Sequence, residues 1–391
     1  MLDVRFGEGL PKERATVEAL SHIREHFATQ IREVDQAIVA CLNGCHEPAS
    51  HYGMIRYHLG FANESLEALQ GDPLPRGKRL RAIMALLICR SVGVPAAAAE
   101  ALMLASEMIH NASLVHDDIQ DGDTTRWGRP TVWALFGCAQ AINVGDHLLG
   151  MAYQLLLHLR DSGVHPEVVL CALEIYNQAY LRMCEGQHLD LKYQGRVDIE
   201  IEQYLDMIGR KTAAAFESVS HAAARLATCD ANTVTCYRRF GTALGMMYQI
   251  CDDMRAIWAE PTEIGRESGR DVLLRKVTLP LLYAVKHGSQ ELGVWLQAQV
   301  RNAKGLSEHK MGRLRDELVA LGVDELCRRD VAHYRDQALT ALQATQVVSP
   351  EQNILEAMVN LSAETVGVYL ERQSHESQCS HDLGQRDDNL I

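Results

Sequence analysis

The residues that suggest chemistry in this 391-residue sequence are two clusters of carboxylates. In the segment from Glu107 to Asp121, helical spacing places His110, Asp117 and Asp121 on one stripe, with Asp118 beside them. Like charges one turn apart destabilise a helix by a few tenths of a kcal/mol, so a counter-ion is expected. A hard divalent cation fits, because Mg²⁺ is usually held by one or two carboxylates together with substrate phosphate oxygens. An isolated DDxxD also occurs as a plain solvated helix end. A second acidic pair, Asp252 and Asp253, lies far downstream in Tyr248-Gln249-Ile250-Cys251-Asp252-Asp253, where Gln249 shares a helix face with Asp252 and Gly245 lies one turn earlier. Two such faces converging across a cavity of a helical protein would hold a diphosphate bridged by Mg²⁺.

Cations accompany both clusters. Gly77-Lys78-Arg79-Leu80-Arg81 follows a Pro-rich turn and is expected to open a helix, where backbone N–H groups favour an anion. It lacks the GxxxxGK[ST] spacing of a P-loop. Arg126 and Arg129 follow the first cluster, Lys211 and Thr212 lie between the two, and Arg266 and Lys276 follow the second. Each of these taken alone reads as an ordinary surface charge.

The elements that must position these groups read as helices. Apolar residues recur at helical spacing from Ala97 to Gln120 and from Val234 to Trp258, alternating strand patterns are nearly absent, and prolines number only 10. The fold class is therefore all-α, a single large domain of about a dozen helices over residues 1–372, with a polar tail at 373–391. Breaks fall at Gly71–Pro75, Gly93–Pro95, Gly122–Pro130, Ser162–Pro166, Pro261–Gly269 and Ser349-Pro350. With 38 basic against 51 acidic residues, the net charge of −13 argues against a nucleic-acid binder. No run is apolar enough for a membrane span, and 11 scattered cysteines without CxxC pairs suit a reducing, cytoplasmic setting. Cys41, Cys45, His46 and His51 are of ligand types that suit zinc, but their spacing matches no zinc pattern and reads as a loop.

Taken in order, GKRLR, DDIQD, RWGRPT, GQHLD, KT, YQICDD and KVTLP resemble the trans-isoprenyl diphosphate synthases, the polyprenyl synthetase family, over roughly residues 70–285. The resemblance is strongest to geranylgeranyl diphosphate synthases. It implies a helical bundle around a deep cavity, a homodimer, and Mg²⁺ as cofactor, three ions per active site. Its substrates are isopentenyl diphosphate and an allylic diphosphate. Carried over by position, Asp117, Asp121 and Asp252 are the metal ligands, and Asp118 and Asp253 complete the two acidic motifs. Arg126, Lys211, Thr212, Gln249, Arg266 and Lys276 contact or lie beside the allylic diphosphate, with Gln187 and Asp190 nearby. Lys78, Arg81 and His110 match the residues that bind isopentenyl diphosphate. The implied reaction is metal-assisted ionisation of the allylic C–O bond, attack by the second substrate's double bond, and proton loss to diphosphate.

The sequence departs from the family pattern in places. The usual RRGxPT reads Arg126-Trp127-Gly128-Arg129-Pro130-Thr131, so Trp127 replaces a substrate-binding arginine, and Arg129 is the candidate to supply the lost charge. Ala256 replaces the last aspartate of the second motif, which weakens metal binding there, and Arg266 stands where lysine is usual. The resemblance implies that product length is set just upstream of the first acidic motif, where Ala112 and Ser113 stand; their small size would leave room beyond fifteen carbons and favours geranylgeranyl diphosphate. Leu104 and Met108 are candidates for the cavity floor. The competing reading is a terpene synthase that cyclises a single allylic diphosphate on the same scaffold, and a further one is a non-catalytic subunit of a related synthase.

Overall fold

The computed structural model describes residues 24–44, 48–69, 71–227, 230–258, 276–301 and 308–364. Arg266, Cys45, His46 and the tail 373–391 lie outside the described residues. The helices are α1 (Ala28–Leu42), α2 (Ala49–Leu59), α3 (Leu80–Ser91), α4 (Ala96–Asp121), α5 (Val132–Phe136), α6 (Cys138–Leu157), α7 (Pro166–Tyr193), α8 (Ile201–Ile208), α9 (Ala214–Leu226), α10 (Ala231–Trp258), α11 (Leu279–His287), α12 (Gln290–Arg301), α13 (Glu308–Ala320) and α14 (Val323–Ala344). Residues 350–364 form a further helical stretch.

Two helices organise the bundle because most of their residues are buried against their neighbours. In α4 the buried set includes Leu102, Leu104, Met108, Ala112 and Val115, and in α10 it includes Tyr237, Phe240, Leu244, Met247, Ile250 and Met254. Pro95 precedes α4, and Gly122 ends it with a left-handed φ of 70° that a β-carbon would strain. α4 packs on α3 and α6, α9 on α3, α7 and α10, and α10 on α14. The result is one continuous apolar core.

The only strands among the described residues are β1 (Thr125–Arg126) and β2 (Arg129–Pro130), which pair antiparallel with Arg126 opposite Arg129. Trp127 and Gly128 close this hairpin with φ of 52° and 74°, the handedness that two-residue hairpin turns require. The expected helix opening at the first basic motif begins at Leu80; Lys78 precedes it and Arg79 is its N-cap, with φ 57°.

Candidate active site

A cavity of about 950 Å³ runs between α4, α7 and α10. From α4 it receives His110, Ser113 and Asp117; from α7, Gln187 and Asp190; from α10, Tyr248, Gln249, Asp252 and Asp253. Lys78, Arg81, Arg126, Lys211, Thr212 and Lys276 also line it. The sequence predicts that the two acidic motifs converge on one ligand space; Asp117 of the first and Asp252 and Asp253 of the second line the same cavity.

Lys211 and Thr212 reach the cavity through a local irregularity. Between α8 and α9, residues Gly209–Ala213 form a π-helical turn, a device that often re-aims side chains at functional sites. Gly186 of α7 permits it, because a β-carbon there would lie 2.2 Å from the Lys211 amide nitrogen. On the other side, a β-carbon on Gly245 would lie 2.6 Å from Ala213 Cα.

The charges are interlocked. Lys211 donates to Asp190 at 2.5 Å and stands 3.3 Å from Asp117. Lys276 donates to Asp121 at 2.6 Å and lies 4.0 Å from Asp190. Burial alone would raise the Asp117 pKa, but Lys211, Lys276 and Arg126 outweigh it and hold the carboxyl well below its ordinary range. Asp190 is likewise held low, burial being overcome by the same two lysines. Arg126 donates to Asp118 at 2.7 Å and lies 3.6 Å from Asp117, so it fixes the first motif from below.

Asp253 is a joint rather than a ligand site. It accepts from the Tyr204 hydroxyl, from Gln249 Nε2 at 3.0 Å and from the Leu279 amide at 3.0 Å, tying α8, α10 and α11 together. Gln249 in turn accepts from the Thr212 hydroxyl at 2.7 Å. Asp252 is left at the cavity mouth, with its side chain 55% exposed. Gln187 has both side-chain polar atoms buried without a hydrogen-bond partner. Such atoms are rare in folded proteins and mark a place where a bound group completes the bonding.

Several expected residues are placed elsewhere. Arg129 does not line the cavity: it donates to the carbonyls of Pro75, Tyr57 and His58 and stacks over the Tyr57 ring at 4.9 Å. It braces the hairpin and brings no charge to the cavity lining, because its guanidinium is committed to these three carbonyls. Ala112 is fully buried in the core, away from the cavity that Ser113 lines one residue on. Leu104 and Met108 are core residues too. Asp118 and Asp121 meet the cavity through Arg126 and Lys276. Sequence reasoning missed Tyr204, Asp190 as the acceptor from Lys211 with Lys276 close by, and Arg255, which lines the cavity and donates to Asp252 at 2.8 Å. Arg255 lies within the second acidic motif, where a charged residue beside a carboxylate was the available signal.

The polyprenyl synthetase family model matches residues 64–315, most of the region that builds this cavity. The chain belongs to the polyprenyl synthetase family. It is 35% identical over 248 residues to the geranylgeranyl diphosphate synthase of Mycobacterium tuberculosis, covering 63% of this chain and 69% of that one. It is 31% identical to the octaprenyl diphosphate synthase of Escherichia coli, over 73% of this chain and 84% of the relative. Among solved structures, geranylgeranyl pyrophosphate synthetase from Pyrococcus horikoshii superposes with a TM-score of 0.74 at 26% identity, covering 89% of this chain and 98% of that one. A decaprenyl diphosphate synthase from Rhodobacter capsulatus shares the fold, with a TM-score of 0.74 at 24% identity over 91% and 99% of the two chains. Family membership supports trans-prenyltransferase activity, and the range of product lengths among these relatives leaves that of this chain to its own cavity. Among the described residues no helix is long and apolar enough to cross a membrane, and no group of three or more His, Cys, Asp or Glu side chains forms a closed metal site.

Proposed function

We propose that this protein joins isopentenyl diphosphate to an allylic diphosphate and releases a linear trans-prenyl diphosphate, geranylgeranyl diphosphate, acting as a homodimer. The observation that carries the reading is that Asp117, Asp252 and the unsatisfied Gln187 amide line one cavity.

The residues suit Mg²⁺. Asp117 and Asp252 bring hard carboxylate oxygens to the cavity, and Asp121, one turn on from Asp117 and held by Lys276, stands behind the first of them, a set that substrate phosphate oxygens complete. These three would hold three Mg²⁺ ions around the diphosphate, and the bound metal supplies Lewis-acid stabilisation of the leaving group. Lys211, Lys276 and Arg126 bind the allylic diphosphate and stabilise the charge that develops as its C–O bond breaks. Arg266, by its sequence position, joins them. Gln187 completes the hydrogen bonding to the bound group, and Thr212 lies beside it with its hydroxyl donated to Gln249. Lys78, Arg81 and His110 bind isopentenyl diphosphate, whose double bond attacks the allylic cation; the lost proton passes to diphosphate. The apolar lining around Leu114, Tyr180 and Met183 excludes water that would quench the cation. Ser113, small and facing the cavity, leaves room for a tail of twenty carbons. The comparisons give the cyclase alternative no support.

The test is an incubation with Mg²⁺, isopentenyl diphosphate and each of the five-, ten- and fifteen-carbon allylic diphosphates, followed by dephosphorylation and sizing. A linear twenty-carbon alcohol is expected, and a hydrocarbon made from one allylic diphosphate alone would overturn the reading. Asp117→Ala should lower kcat about a thousandfold, the equivalent of ~4 kcal/mol of lost charge stabilisation. Near-normal turnover in that variant would remove metal-assisted ionisation.

A further inference from the structure

The cavity has a second cationic corner. Arg255 is 6% exposed and lines the cavity with Lys78, Arg81, Trp127 and Tyr248. Its guanidinium donates to Asp252 and lies 5.6 Å from the centre of the Tyr248 ring. Burial, and next the Arg255 charge, push the Lys78 ammonium down to about 7; Asp252 acts the other way and Arg24 adds to the repulsion. Arg81 completes the corner, 3.3 Å from His110 and stacked over Phe216 at 4.3 Å, with a buried Nε that has no partner. Cations gathered in a partly buried wall destabilise one another until an anion neutralises them.

The same lining carries an indole at the hairpin. Trp127 stands where the family pattern has arginine. Its ring packs over Gly77, where a β-carbon would approach the ring to 3.2 Å. The backbone of Trp127 is held at φ 52°, which costs a non-glycine residue about 1–2 kcal/mol. The cavity wall has thus exchanged a guanidinium for an indole at the hairpin. Arg129 does not restore it, since its guanidinium is committed to backbone carbonyls. Arg255 adds a guanidinium to the lining of the cavity that Lys78 also lines.

We propose that Arg255 is a binding residue for the diphosphate of isopentenyl diphosphate, acting with Lys78 and Arg81 in place of the arginine that Trp127 displaces. The proposal rests on the prenyltransferase reading above. A guanidinium suits the task because its planar fork gives paired hydrogen bonds to phosphate oxygens while another N–H stays on Asp252.

The experiment compares the wild type with Arg255→Met and Arg255→Lys, with KM measured separately for isopentenyl diphosphate and for the allylic diphosphate, and half-maximal Mg²⁺ determined for each. Arg255→Met should raise KM for isopentenyl diphosphate about ten- to a hundredfold, the loss expected for one hydrogen bond to a charged group. The allylic KM should stay within about twofold, because that diphosphate is held by other residues. Arg255→Lys keeps the charge without the fork, so a smaller rise of about three- to tenfold is expected, and this variant carries the test if the methionine variant does not fold. Placing arginine back at the hairpin, Trp127→Arg, should lower KM again in the Arg255→Met background. An unchanged isopentenyl KM overturns the proposal. So does a shift confined to the allylic KM and Mg²⁺, which would make Arg255 merely the counter-ion of Asp252. A wild-type protein that elongates no allylic diphosphate fails the proposed function itself, before any variant is compared.

Discussion

At the scale of single residues, the firmest structural commitment beside the cavity is Arg79. Its side chain is fully buried and donates to Glu107 at 2.6 Å, to Asp35 at 3.2 Å and to the Leu59 carbonyl at 2.9 Å. Arg76 shares the Asp35 carboxylate, and Asn111 donates to Glu107 at 2.8 Å. This network ties α1 and α2 to the start of α3 and the middle of α4, and so sets where Lys78 and Arg81 enter the cavity. Removing one partner leaves a buried charge uncompensated. Glu107→Ala should therefore lower unfolding free energy by ~3–5 kcal/mol, read from the urea midpoint. A loss under ~1 kcal/mol would show that water or a shifted side chain satisfies Arg79. The sequence announced a basic run at 76–81, but it did not say which of its arginines face a substrate and which face a carboxylate inside the protein.

At the scale of elements, the π-helical turn at Gly209–Ala213 is what brings Lys211 and Thr212 into the cavity, and it depends on contact with α7. Gly186→Ala puts a methyl where the Lys211 backbone now lies. The turn must move, at a stability cost of ~1–3 kcal/mol. Displacing a catalytic group by about 1 Å costs roughly a hundredfold in rate. Turnover by Gly186→Ala should fall by that order while the far-UV circular dichroism stays unchanged; wild-type activity would show that the turn's geometry is not needed. The long helices α4 and α10 were legible from apolar periodicity. The π-turn was not, because one extra residue in a helical ladder leaves no mark on the hydrophobic pattern.

At the scale of the molecule, α6 and α7 carry apolar side chains that the described chain does not cover. Ile142 is 45% and Leu157 47% exposed on α6, and Leu170 is 64% and Leu181 56% exposed on α7. Adjacent helices that present leucine and isoleucine outward suit the face of a homodimer. Light scattering after size exclusion should give twice the 43.5 kDa of one chain. Leu170→Glu combined with Leu181→Glu should give a monomer, since buried carboxylates would be unpaired at such a face. A monomeric wild type would reject the assembly.

The sequence by itself determined the helical class, the two acidic motifs and the family, because these rest on local spacing: a stripe repeats every turn, and a motif is a run of neighbours. Only the tertiary structure separated Asp252, at the cavity mouth, from Asp253, locked by Tyr204 and the Leu279 amide. It alone turned Arg129 toward the Tyr57 and His58 carbonyls and brought Arg255 and Lys78 into the lining of one cavity. Which way a side chain faces depends on elements remote in sequence, and that information enters only when helices pack.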